Sequence, residues 1–254
     1  MNSAFNPTLP IDKSMALYWS GTPGCSRSIA ICHAADLAEV PILLLCETNE
    51  NVDQSMRELS YFSRAFENLP VFSLPDWETL PYDNFSPHQD ITSERLNSLF
   101  HLPKLRRGIL VLSISSLMHR LPPREYIDSI SLDLRVGQHL EISQMKEELV
   151  YAGYKLVDSV FEHGEFAVRG SILDIYPMGS PLPYRIDLFD NEVESLRTFD
   201  PESQRSISKV REIKLLPARE YPLDDSGIKT FRANFHEIFD IDPRHCPLYQ
   251  DVSN

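Results

Sequence analysis

Glu162-His-Gly-Glu-Phe-Ala-Val-Arg-Gly-Ser-Ile-Leu-Asp-Ile-Tyr-Pro177 and, six residues on, Tyr184-Arg-Ile-Asp-Leu-Phe-Asp-Asn-Glu-Val-Glu-Ser-Leu-Arg-Thr-Phe199 decide the second half of the fold. They divide into apolar-rich runs of strand length: Phe166–Arg169, Ile172–Tyr176, Tyr184–Phe189 and Val193–Phe199. The turns are short, Glu162-His-Gly-Glu165 before the first run and Asp190-Asn191 before the last. Closely spaced strands joined by tight turns favour an antiparallel sheet. Working backwards, Leu156–Phe161 reads as a further strand. Before it comes one helix with Ser143 as N-cap, Glu147 and Glu148 in its early turns and Gly153 as its stop. Leu132, Leu134 and Val136 alternate with polar residues, as in a half-buried strand. A small α+β domain is therefore expected over residues 131–213.

The preceding residues read differently. Arg27–Ala38 and Asn51–Phe66 have helical character, the latter with Met56, Leu59, Phe62 and Phe66 three or four apart. Between and after them lie continuous apolar runs, Pro41-Ile-Leu-Leu-Leu-Cys46, Val71–Phe72 and Gly108-Ile-Leu-Val-Leu-Ser-Ile114. Such strands, separated by helices, imply a parallel sheet covered on both faces. Residues 1–130 are thus expected to form an α/β domain into which the α+β domain is inserted. Residues 214–254 read as the start of a further segment, with Ile228, Phe231, Phe235 and Phe239 striping a helix over Ser226–Phe239. That segment would return to the first domain and be cut off near Asn254.

Charge and composition narrow the function classes. Asp and Glu outnumber Lys and Arg by 37 to 24, a net charge of −13, which opposes a chain whose main task is coating nucleic acid but leaves room for a local basic patch. No apolar run approaches the ~20 residues that span a bilayer. Nor does Met1–Asp12 carry a basic stretch followed by an apolar core, so a cytoplasmic chain is expected. Cys25, Cys32, Cys46 and Cys246 form no CxxC pair and read as reduced thiols. Asp83, His88 and Asp90 are metal-ligand types, but they sit in a Pro-rich polar loop where such residues coincide by chance, and no metal site is assigned.

Gly21-Thr-Pro-Gly-Cys-Ser-Arg-Ser28, just before the first helix, resembles a phosphate-cradling loop that has lost its parts. Gly21 holds the first position. Ser26 replaces the second Gly and Arg27 the Lys; Ser28 keeps the hydroxyl. A planar guanidinium does not replace a compact ammonium against the outer phosphates. A degenerate loop without nucleotide, or an ordinary turn, is expected ahead of a working ATP site.

Within Tyr184–Phe189 the strand period puts Tyr184, Ile186 and Leu188 on one face and Arg185, Asp187 and Phe189 on the other. The first set is the core set. The second places an aromatic beside an arginine, the residue types enriched in interface hot spots, with Arg169 on a neighbouring strand. The competing reading pairs Arg185 with Asp187 and tucks Phe189 under the turn. Asp187, Asp190, Glu192 and Glu194 lie on a strand-turn-strand without a nucleophile, so they read as solvated surface. His163 reads as a turn residue, and Trp77, flanked by Pro, as a packing anchor.

Several blocks together resemble the bacterial transcription-repair coupling factors. They are Leu74-Pro-Asp-Trp-Glu-Thr-Leu-Pro-Tyr-Asp-Asn-Phe-Ser-Pro-His-Gln-Asp90, Glu162–Pro177, and Tyr184–Asp190 with Glu194–Asp200. The two later blocks are also similar to the domain of the excision-repair helicase UvrB that docks on UvrA. The resemblance implies an N-terminal UvrB-like module that recruits UvrA to RNA polymerase stalled at DNA damage, with Arg169, Arg185 and Phe189 at the UvrA contact. It implies a degenerate phosphate loop here, and no cofactor for this segment. ATP, Mg, DNA and RNA polymerase would be engaged by a translocase further along the protein. The alternative is a nucleotide- or DNA-binding fragment of an excision-repair helicase.

Overall fold

A computed structural model describes residues 4–12, 14–80, 83, 85–239 and 241–253, the side chain of residue 236 excepted. Pro81, Tyr82 and Asn84 of the Leu74–Asp90 block, and Asn254, lie outside them. The chain forms two compact units, Met1–Arg120 and Leu121–Asn254, so the division falls ten residues before the boundary expected at 130/131. Among the described residues no helix is long and apolar enough to cross a membrane.

The first unit holds a three-stranded parallel sheet of β1 (Ile42–Cys46), β2 (Val71–Leu74) and β3 (Ile109–Ser113) in the order β1-β3-β2. Its helices are α1 (Ser26–Leu37), α2 (Asn49–Phe62), α3 (Gln89–His101) and α4 (Ile114–Met118). Thr48 caps α2 by accepting from the Asn51 N–H at 3.2 Å. All five residues of β3 are buried, which accounts for its unbroken apolar run. On one face Ile31, Cys32 and Ala35 of α1 and Val52 and Leu59 of α2 pack with Cys46, Ile109 and Val111. On the other, Leu74, Leu110 and Leu112 pack with Phe72 and Leu99.

Coverage of both faces, expected from the apolar runs, fails at β1. Leu43 is 51% and Leu45 46% exposed, because α3 lies over β2 and its neighbour and does not reach the outer strand. Helix α3 itself was not signalled by periodicity. Its buried residues include Ser93, Arg95 and Ser98 beside Leu96 and Phe100, so polar side chains interrupt the apolar stripe.

The second unit begins with α5 (Arg124–Ile130), β4 (Leu132–Arg135) and α6 (Ile142–Tyr151). Ser143 is not the N-cap of α6: Glu141 holds that position, and the Ser143 hydroxyl donates to its carboxylate at 2.6 Å. Gly153, at φ +94°, does end the segment as expected. A six-stranded sheet follows, from β5 (Lys155–Leu156), β6 (Glu165–Arg169), β7 (Ile172–Ile175), β8 (Tyr184–Phe189), β9 (Glu192–Phe199) and β10 (Ser206–Val210). Its order is β10-β9-β8-β7-β6-β5, antiparallel throughout except that β5 runs parallel to β6. The β8–β9 turn places Asp190 and Asn191 at φ +47° and +65°, the left-handed pair that a two-residue hairpin uses.

The strand expected over Leu156–Phe161 stops at Leu156. The next residues leave the sheet edge and cross one of its faces, where Val160 is buried with Ala167 and Phe199. Gln204 Nε2 donates to the Val160 carbonyl at 3.0 Å and holds the crossing in place.

Beyond residue 213 the chain remains with this unit. β11 (Glu212–Leu215) pairs antiparallel with β4, and the Ala218 N–H donates to the Ala152 carbonyl at 2.8 Å. Helix α7 (Asp225–Ile238) is capped by Asp224, which also accepts from the Tyr151 hydroxyl at 2.7 Å. Phe231 and Phe235 of its expected stripe meet Tyr249 of α8 (Pro247–Ser253), a helix that the sequence pattern did not reveal.

Candidate functional site

The register of the six-stranded sheet fixes which side chains share a face. Arg169 pairs with Ile172, and Ile172 with Asp187. Arg185 and Phe189 flank Asp187 two residues to either side on β8, so Arg169, Arg185 and Phe189 all project from one face. The opposite parity, Ile186 and Leu188, is buried with Leu173, Ile175, Val193 and Leu196. These apolar side chains form the floor on which the polar face is mounted.

The three residues differ in freedom. Phe189 is 68% exposed, at the hairpin end of β8, and does not tuck under the turn. Arg169 is exposed, but its fork is held: Nε and Nη2 donate to the Asp158 carbonyl at 3.2 and 2.6 Å, and Nη2 to the Ser159 hydroxyl at 2.8 Å. Arg185 is the most enclosed, with only 19% of its side chain exposed.

The partner of Arg185 is not Asp187. Nε and Nη2 donate to the two oxygens of Asp174 at 2.7 and 2.8 Å, a bidentate pair with the residue directly across on β7. Its Nη1 donates to the Gln204 carbonyl at 3.2 Å, and the guanidinium lies over the Phe199 ring at 4.8 Å. Asp187 instead pairs with Arg197 at 2.9 Å and accepts from the Ser195 hydroxyl at 2.6 Å. Asp174, buried on the face it shares with Ala167 and Arg185, is the key residue that the sequence reading missed. An acid inside an otherwise apolar strand was its signal.

Neighbouring titratable groups are engaged in structure. His163 shares a hydrogen bond between Nε2 and the Ser180 carbonyl at 2.8 Å and packs on Tyr176, as a turn residue does. Glu165 accepts from the backbone N–H groups of Phe161 and Glu162. Asp190, Glu192 and Glu194 are exposed.

In the first unit, Gly21 and Gly24 adopt φ of +72° and +57° before α1 starts at Ser26. The Ser26 hydroxyl donates to the Pro23 carbonyl at 2.6 Å. The Ser28 side chain is buried and donates to Glu58 at 2.5 Å. Hydrogen bonds from Ser28 and Gln54 hold the Glu58 carboxyl below its usual pKa. Of the Asp83, His88 and Asp90 group, His88 caps α3 by accepting from the Asp90 N–H, and Asp83 accepts from the Leu80 N–H at 2.7 Å. Among the described residues no group of His, Cys, Asp and Glu is arranged to hold a metal ion.

The UvrB interaction domain family model matches residues 132–221, which contain the whole six-stranded sheet. The transcription-repair-coupling factor of Escherichia coli is 40% identical over an alignment covering 100% of this chain and 22% of that protein. That of Haemophilus influenzae is 47% identical over 82% of the chain and 19% of its own length. That of Bacillus subtilis is 32% identical over 79% and 17% respectively. The chain thus spans about a fifth of the length of these curated relatives. The sequence comparisons place the chain with the transcription-repair-coupling factors, as a stretch that carries a UvrB interaction domain.

Proposed function

We propose that this chain is a non-catalytic recruiting module of a transcription-repair coupling factor, and that the Arg169/Arg185/Phe189 face of its six-stranded sheet receives UvrA. The observation that carries this reading is Phe189, a large aromatic 68% exposed on the same sheet face as a guanidinium fixed by a buried carboxylate. A preorganised arginine with an accessible aromatic is the composition of an interface anchor. ATP and Mg, DNA translocation and RNA polymerase binding then belong to the remainder of the protein.

Phe189→Ala tests the site with little effect on the fold, because the side chain is exposed. Titration calorimetry of UvrA into the 254-residue chain should show about thirtyfold weaker binding for the variant, the cost of a hot-spot aromatic. Wild-type affinity in Phe189→Ala would remove this face from consideration.

The second part of the reading is that Gly21–Ser28 is a degenerate phosphate loop that takes no nucleotide. Burial of the Ser28 hydroxyl against Glu58 supports it, since a phosphate loop needs that oxygen free for Mg²⁺. A fluorescent ATP analogue should show no saturable binding to the chain. Saturable binding that disappears in Arg27→Ala would overturn the assignment.

A further inference from the structure

Three cations with no ion-pair partner among the described residues line one shallow groove in the first unit. The groove, of about 690 Å³, lies where β2 and β3 begin, with Phe66, Asn68 and Pro70 on one side and Lys104, Leu105 and Arg106 on the other. Arg64 reaches it from the short helix Ser63–Ala65, and Lys104 from the short helix Leu102–Lys104. Arg64, Lys104 and Arg106 are exposed and pair with no carboxylate among the described residues; Lys104 Nζ rests 3.6 Å from the centre of the Phe100 ring. Arg107 is the frame. Its Nη1 pairs with Asp36 at 2.8 Å, and its Nη2 donates to the Glu67 and Asn68 carbonyls, tying the turn before β3 to the turn before β2.

The chain carries a net charge of −13, and elsewhere Arg124 pairs with Asp128, Arg135 with Glu212, Arg197 with Asp187 and Lys214 with Asp133. Other exposed cations, Arg27, Arg57, Lys155 and Arg211 among them, form no ion pair among the described residues, but they do not line this groove. Glu67, in the turn at the rim, is the opposing charge nearest in sequence, and it does not close on any of the three. Two guanidinium forks and an ammonium around an open channel suit a line of phosphates. Forks bind phosphate bidentately, and an open channel admits a chain that enters and leaves. A buried heterocycle would need an enclosed apolar pocket instead.

We propose that this groove is a contact for the phosphate backbone of duplex DNA, separate from the sheet face assigned to UvrA and independent of that assignment. The acidic remainder of the chain would keep the contact weak and confined to the groove. A labelled duplex of about 20 base pairs, titrated with the 254-residue chain in about 50 mM salt, should give saturable anisotropy with a log–log salt slope near −3, at about 0.9 per phosphate. Arg64→Ala combined with Arg106→Ala should weaken binding at least about tenfold and reduce the slope to about −1. Both side chains are exposed and pair with no carboxylate among the described residues, so the variant's thermal unfolding should match wild type. Phe189→Ala should bind the duplex normally. Absence of saturation at low salt, or a double variant that binds like wild type, overturns the proposal. Displacement of the duplex by polyglutamate at equal charge concentration would overturn it in favour of an acidic protein segment.

Discussion

Asp174→Ala should cost the second unit about 3–5 kcal/mol, the largest effect of any single change considered for that unit. The carboxylate is 3% exposed and its partner Arg185 19%, so neither charge is solvated well enough to stand alone. Removing the acid leaves a guanidinium enclosed between the Gln204 carbonyl and the Phe199 ring, with only Asp187, already paired to Arg197, as a counter-charge. It also opens a void between β7 and β8 at the centre of the sheet. Backbone amide exchange measured across β7, β8 and β9 should accelerate more than about a hundredfold. Replacing both partners with apolar residues of similar volume, Asp174→Leu with Arg185→Met, should recover most of the loss, because the penalty lies in the orphaned charge. Unchanged protection in Asp174→Ala would show that the pair does not hold the sheet. This result also governs how Arg185 is tested as a binding residue. Arg185→Ala strands Asp174, so a loss of UvrA binding there would mix unfolding with lost contact. Phe189 is free of that ambiguity.

What could be read from the sequence depended on whether an element answers to local rules. β1 and β3 were legible as unbroken apolar runs, and the β8–β9 hairpin from Asp190-Asn191, because turn chemistry and strand burial act within a few residues. The shared face of Arg185 and Phe189 followed from the strand period alone. The ion pair did not. Arg185 has Asp187 two residues along its own strand, the obvious local partner, yet register brings Asp174 directly opposite. Cross-strand partners are fixed by pairing, which period-two reasoning within one strand cannot supply. The same limit explains Leu156–Phe161, whose apolar content fits a strand but whose later residues are drawn across the sheet by Gln204 and Val160. In the basic groove, Arg64 and Arg106 lie 42 residues apart and meet only because β2 and β3 are neighbours.

The first unit offers the second large effect. Arg95→Ala should destabilise that unit by about 3 kcal/mol, the range for emptying a large, fully buried site. Arg95 is 0% exposed on α3, and three consecutive residues of the Leu74–Asp90 block turn toward it. The Pro75 carbonyl accepts from its Nη1 at 2.6 Å, and the Trp77 ring lies 4.7 Å from the guanidinium carbon. Asp76 between them supplies negative charge. Burial alone would raise its pKa, but hydrogen bonds from Ser115 and the Glu78 N–H, with the charges of His119 and Arg95, hold the carboxyl below its usual value. Trp77 in turn stacks on His119 at 4.4 Å. The Pro-flanked tryptophan is therefore a packing anchor whose seat is a buried cation, and it fastens the loop after β2 to α3. Arg95→Met, which keeps the stem and loses the donors, should recover part of the loss and leave a deficit of about 1–3 kcal/mol from the unpaired Pro75 carbonyl. Both tryptophans, Trp19 and Trp77, lie in this unit, so urea unfolding followed by tryptophan emission reads its stability directly. An unshifted urea midpoint in Arg95→Ala would mean that the loop is held by other contacts and that the cation is incidental to it.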